Sequence, residues 1–237
     1  ILLTVVAVSL LAAHSPAPAA EVVESRIVSV GLFKNGLAVV RRELSLPGAG
    51  YIAEQMDEVD VDGLHEARQY VRRALANELH GLFRARYEEL NDGAGYDKSP
   101  SAIGCRALKN GCLAYLALAD GGAELARKQL RDSDNMTDTL AALRALVNNR
   151  LPGAEQALAD FEARWSGDAL VMDKWFVMQA VQPGHDAVHR VRRLMDHPEF
   201  SLRNPNKVRA LIGAFVMLNP TGFHAPDGAG YRFLADR

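Results

Sequence analysis

The sequence predicts a mainly α fold: an irregular α-solenoid, or superhelical array of helix pairs, with a short β-hairpin-like segment ahead of it. Three observations predict this. From about residue 58 onward, apolar residues recur at spacings of three and four, the period of a helix with one buried face. The periodic segments are short and joined by loops of about two to six residues, so each pair can bury its apolar face on the next. Before residue 50 the pattern alternates instead, as a strand does.

Residues 1–12 (ILLTVVAVSLLA) are an uncharged apolar run, followed by small residues ending Ala17-Pro18-Ala19-Ala20. This reads as the h-region and A-x-A-like cleavage site of a signal peptide, so residues 1–20 are a signal-peptide-like segment. The run falls short of the ~20 apolar residues that span a bilayer. Residues 21–50 hold the hairpin-like segment. Ile27–Phe33 alternates, Lys34-Asn35-Gly36 supplies the turn, and Leu37–Leu44 returns. Pro47-Gly48-Ala49-Gly50 then breaks the pattern.

The helical part takes in residues 51–237. Leu64, Ala67, Val71, Leu75, Leu79, Leu82, Phe83, Tyr87 and Leu90 form the stripe of one long helix over about 60–91. Further helices are expected at about 101–119, 123–131, 137–149 with Thr137 as N-cap, and 154–165. The last are expected at 168–181 with Asp168 as N-cap, 185–196 and 204–218. In the 168–181 helix Leu170, Val171, Trp175 and Val177 or Met178 are expected to face inward. Gly213 suits close helix packing, and Asp227-Gly228-Ala229-Gly230 reads as a loop. The residues after it look like the start of another helix.

The composition excludes several functions. Hydrophobic residues make up 49% and charged residues 24%, and 27 Lys+Arg against 29 Asp+Glu leave a net charge of -2. That balance offers no basic surface for nucleic acid. Cys105 and Cys112 lie on one expected helix with Cα atoms about 10 Å apart, beyond disulfide reach. His185-Asp186-Ala187-Val188-His189 is an H-x-x-x-H pair that on a helix would share a face. Asp in place of the general-base Glu, and no suitably spaced third ligand, argue against a metal site there. His65-Glu66-Ala67-Arg68-Gln69 lacks the second histidine. No catalytic residue and no metal ligand is assigned.

Several segments in order carry a resemblance. They are Asn135-Met136-Thr137-Asp138, Asp168–Phe176, His197-Pro198 with Phe200, and Asn204–Arg209 running into Leu211–Phe215. Asn219-Pro220, Phe223-His224 and Asp227–Tyr231 complete the set. Residues 51–237 thereby resemble the C-terminal helical domain of the bacterial aminopeptidase N family, alanyl aminopeptidases of the M1 zinc metallopeptidase class. The resemblance implies a large, multidomain cytoplasmic enzyme that releases N-terminal amino acids from peptides. In it a separate catalytic domain binds Zn through H-E-x-x-H and a downstream Glu, and a G-x-M-E-N motif reads the free amine. The helical domain covers the active site and limits entry to short peptides.

This sequence contains neither motif. The resemblance therefore implies a cover or cavity-shaping domain with no cofactor of its own, inactive alone and truncated before the family's last helices. Its partner would be the missing catalytic domain, and peptides would reach it through that domain. It also implies that Arg209, and with it Asn206, faces the substrate cavity, and that Lys207 stands where the family more often has arginine. A stand-alone secreted helical interaction module is the alternative. Location divides the same way: periplasmic or secreted from residues 1–20, cytoplasmic from the resemblance. A membrane span and a nucleic-acid partner are not expected.

Overall fold

The computed structural model describes residues 46–91, 93 and 95–236; the signal-like segment and the hairpin-like stretch Ile27–Leu44 lie outside them. No strand occurs among the described residues. Helix α1 (Ala49–Ala53) leads into α2 (Val61–Glu78), α3 (His80–Glu89), α4 (Pro100–Leu116) and α5 (Gly122–Asp132). Then come α6 (Met136–Asn148), α7 (Ala154–Trp165), α8 (Ala169–Ala180) and α9 (Ala187–Met195). Helix α10 (Pro205–Val208) runs through a π-turn, Arg209–Gly213, into α11 (Ala214–Leu218). The short α12 (Pro220–Phe223) and α13 (Ala229–Ala235) complete the described array.

Side-chain caps set the helix starts. Asp60 accepts from Gly63 N, Ser99 from Ala102 N, Asp168 from Leu170 and Val171 N, and Asn204 from Asn206 N. Each supplies an acceptor to a first-turn N–H that has no partner inside its helix. Helix α6 is capped by Asn135, which accepts from Asp138 N at 3.0 Å, so Thr137 sits inside the helix. There its hydroxyl neighbour Thr139 bonds back to Asn135 O.

The expected helix over 60–91 is two. Leu79 has φ -105° and ψ 14°, which lets α3 turn and bring Phe83 and Tyr87 into the core. Phe83 stacks on Tyr115 with ring centroids 4.7 Å apart. Ala67 and Leu82, expected on the buried stripe, are exposed, because the stripe is read differently on either side of the break. On α8, Leu170 points to solvent at 70% exposure, while Val171, Met172, Trp175, Phe176 and Met178 are buried. In the first turn of α8 Leu170 thus lies on the outer side and Val171 and Met172 on the inner one.

Helices α4, α6, α8 and α10–α11 lie side by side in the same direction. Near their C-terminal ends Gln182 donates to Val147 O at 3.0 Å and Asn219 to Ala180 O at 2.9 Å. Near its start α10 meets the start of α8, where Lys207 donates to Ala169 O at 3.1 Å. The antiparallel helices α5, α7 and α9 return between them. Leu113, Leu143, Leu146, Met172, Phe176, Leu211, Phe215 and Phe233 form the continuous, fully buried core. Helix α2 crosses the C-terminal ends of this layer and packs on both α4 and α12.

A buried polar network joins α3, α4, α5 and α6. Asp138 receives Lys109 Nζ at 2.8 Å and Asn110 Nδ2 at 2.7 Å. Gln129 donates to Asn110 Oδ1 and to Asp138 O, and accepts from the Tyr87 hydroxyl at 3.0 Å. Burial, with the Asp138 charge beside it, pushes the Tyr87 phenol up to about 12. Cys105 and Cys112 are both free thiols, and burial raises Cys112 to about 11, so its reactive thiolate is scarce at neutral pH.

Glycine packing differs from expectation. A carbon added at Gly213 meets nothing closer than 3.8 Å, whereas one at Gly230 would lie 2.1 Å from the Phe223 carbonyl oxygen. The close approach is therefore between α13 and α12, and Gly230 belongs to a helix rather than to the preceding loop.

Candidate substrate-facing edge

The segment Asn204–Gly213 is fixed from its inner side. Asn204 caps α10 and Pro205 takes its first position, where a missing N–H costs nothing. Lys207 then points inward and is 4% exposed. Its Nζ hydrogen-bonds Ala169 O and lies 3.1 Å from Asp173 Oδ1. That carboxylate oxygen makes no hydrogen bond in return, so the contact is electrostatic rather than directional. The ammonium also sits 5.3 Å from the centre of the Phe176 ring, a favourable place for a cation.

Asn206 and Arg209, three residues apart, emerge together on the opposite face, both exposed. Arg209 Nη1 reaches Asn206 Oδ1 at 3.5 Å, the long limit of a hydrogen bond. Among the described residues the guanidinium thus keeps most of its five donors free for a carboxylate or carbonyl. Lys207, by contrast, is a structural cation that the sequence placed beside them without distinguishing its role.

The H-x-x-x-H pair comes apart in the structure. Helix α9 begins at Ala187, so His185 lies on the preceding turn, where its Nε2 is 3.3 Å from Asp62 Oδ2. His189 is exposed on α9. Among the described residues no group of three or more His, Cys, Asp or Glu could hold a metal ion. These side chains do not fit a zinc site.

At the opposite edge, where α4, α6 and α8 end, a cavity of about 930 Å³ lies under α2. Arg150, the one non-glycine residue with positive φ (51°) among those described, borders it. Its guanidinium donates to Pro183 O at 2.9 Å and Asp186 Oδ1 at 2.8 Å, tying the α6–α7 loop to the α8–α9 loop. Burial alone would raise the Asp186 carboxyl, but the Arg150 hydrogen bond and the Arg190 and Arg150 charges outweigh it and hold the group below 3.8. A depressed carboxylate contributes stability above its unfolded value and loses it as pH falls through the folded one. Wild type is therefore expected to lose slightly more stability than Arg150→Gln between pH 5 and pH 3. The difference should stay under about 1 kcal/mol for so exposed a pair, measured by urea unfolding at each pH.

Comparison with known proteins adds the family. The model of DUF3458_C, a domain of unknown function described as ARM repeats, matches residues 6–237. The chain belongs to this ARM-repeat family. It is also 40% identical over 195 residues to aminopeptidase N of Haemophilus influenzae, covering 81% of this chain and 22% of that protein. To aminopeptidase N of Escherichia coli K12 it is 39% identical over 201 residues, covering 84% of this chain and 23% of that one. A crystal structure of Legionella pneumophila aminopeptidase A in complex with aspartic acid superposes with a TM-score of 0.73 at 34% identity. That match covers 84% of this chain and 26% of the other. The DUF3458_C chain thus spans about a quarter or less of the proteins it matches, and it corresponds to the C-terminal part of aminopeptidase N. No helix among the described residues is long and apolar enough to cross a membrane.

Proposed function

We propose that this DUF3458_C chain is the cover of an aminopeptidase N-type active site. In this reading it shapes the peptide cavity with the edge that carries Asn206 and Arg209, and the zinc chemistry belongs to a catalytic domain outside these residues. The observation that carries the reading is the exposed Arg209 guanidinium, largely unpartnered, on a helix clamped from behind by a buried lysine. Neither Asn206 nor Arg209 lines the 930 Å³ cavity. They stand on an open edge, which becomes a cavity wall only against a second surface. A cationic, multi-donor side chain there suits the carboxylate or carbonyl oxygens of a short peptide.

Two measurements test this. The purified chain is expected to show no turnover of an alanyl fluorogenic substrate, with added zinc or with a chelator. Chelator-sensitive turnover abolished by His185→Ala or His189→Ala would sink the reading. In a chimera, residues 51–237 replace the matching part of Escherichia coli aminopeptidase N. There Arg209→Ala is expected to raise KM for short peptides about tenfold with kcat little changed, as loss of one charged hydrogen bond made equally in the ground and transition states would.

A further inference from the structure

The π-turn Arg209–Gly213 lies between two buried polar anchors, and ordinary helix geometry cannot serve both. Lys207, on its N-terminal side, must face α8 to reach Ala169 O and Asp173. Asn219, on its C-terminal side and 1% exposed, must face α8 to donate to Ala180 O and Gln182 O, at 2.9 and 2.8 Å. An α-helix turns 100° per residue, so the twelve steps from Lys207 to Asn219 would leave the two side chains about 120° apart. A π-turn accommodates one extra residue by bonding i to i+5, here Ala214 N–H to Arg209 O. Removing one residue's rotation brings the two anchors within about 20° of each other.

We propose that the π-turn is a positioning device: it absorbs one residue between Lys207 and Asn219 so that both lock onto α8 and Arg209 is held on the exposed edge. Arg209 is the first residue of the device, at its Lys207 end, so the Lys207 lock sets its direction. With that lock gone, the helix is free to relax to a continuous α-helix, turning residues 205–209 by about 100° and carrying Asn206 and Arg209 off the edge. That Arg209 then meets a peptide rests on the function proposed above; the device itself does not.

The test uses the full chain and four variants: Lys207→Met, Lys207→Arg, deletion of Gly213, and deletion of Lys174 as a control in the regular helix α8. Crystal structures and thermal unfolding are the readouts. Lys207→Met is expected to lose the π-turn and to rotate Arg209 away from its present edge, while Lys207→Arg keeps both. Deletion of Gly213, where an added carbon would meet only ordinary van der Waals contacts, is expected to give a continuous α-helix that retains the Ala169 and Ala180 contacts, with Tm lowered by less than about 4 °C. Deletion of Lys174 should lower Tm by several times as much, because everything beyond it changes face. A π-turn that persists in Lys207→Met would overturn the proposal, as would a Gly213 deletion as damaging as that of Lys174. If Lys207→Met does not fold, the two deletions decide alone. If the device behaves as expected while the Arg209→Ala chimera keeps its KM, the device stands and the cavity reading falls.

Discussion

Asp138→Ala is expected to destabilise the chain by about 3–5 kcal/mol, the cost of breaking a buried ion pair by removing one partner. Asp138 and Lys109 are both almost fully buried, with their charged atoms 2.8 Å apart. Without the carboxylate, the lysine ammonium keeps, among the described residues, the Asn91 oxygen at 3.3 Å, and Asn110 loses an acceptor. The loss also spreads, because Asp138 lies in the first turn of α6 and its side chain receives Asn135 Nδ2, the group beside the cap. Urea unfolding followed by circular dichroism measures the change. A loss under about 1 kcal/mol would mean that the network is incidental. The double change Asp138→Leu with Lys109→Met should recover most of the loss, since replacing both members of a buried pair with apolar groups is often neutral.

Phe176→Ala should cost a similar 3–5 kcal/mol, by another mechanism. Phe176 is fully buried and meets Trp175, His197 and Phe200 at ring centroid distances of 5.2, 5.4 and 6.0 Å. Truncation removes these edge-to-face contacts and leaves a void that a close-packed core cannot fully close. It also removes the ring beneath the Lys207 ammonium. The variant should therefore show a lowered Tm together with weakened anchoring of α10, read as faster amide exchange at Val208 and Arg209. Phe176→Leu should recover more than half of the stability. Equal loss in both variants would point to the aromatic contacts rather than to volume.

The sequence made most of the array legible through periodicity and caps. The boundaries expected for α4 to α9 agree with the structure to within three residues, because each segment carries its own stop signal and an apolar stripe. Asp168 was readable as a cap since it stands immediately before the stripe. Asn135 was missed because Thr137, a competing cap type, follows two residues later. The break at Leu79 left little trace: an apolar residue continues the stripe whether or not the backbone bends there, and only Gly81 nearby hints at it.

The candidate edge was legible in part. Asn206 and Arg209 stand out from their neighbours by resemblance alone, and the structure brings them together. The roles of Lys207 and Asn219 depend on partners some forty residues away, which no local pattern encodes. Their spacing does hold a clue, since twelve residues place them out of phase on a plain helix. A π-turn leaves no residue preference strong enough to be read without knowing that both anchors are buried. The H-x-x-x-H spacing presumes a helix that already includes His185, whereas α9 starts two residues later.

The crossing of α2 has a consequence for how the molecule comes apart. In a linear array each helix pair touches only its neighbours, so unfolding can begin at either end and travel inward one pair at a time. Here α2 packs on α12 as well as on α4, and Asp62 at its start meets His185 123 residues away. Fraying of α12 is therefore expected to loosen α2, which packs on it. The described array is therefore expected to melt as one cooperative unit, with circular dichroism and amide exchange giving one common transition.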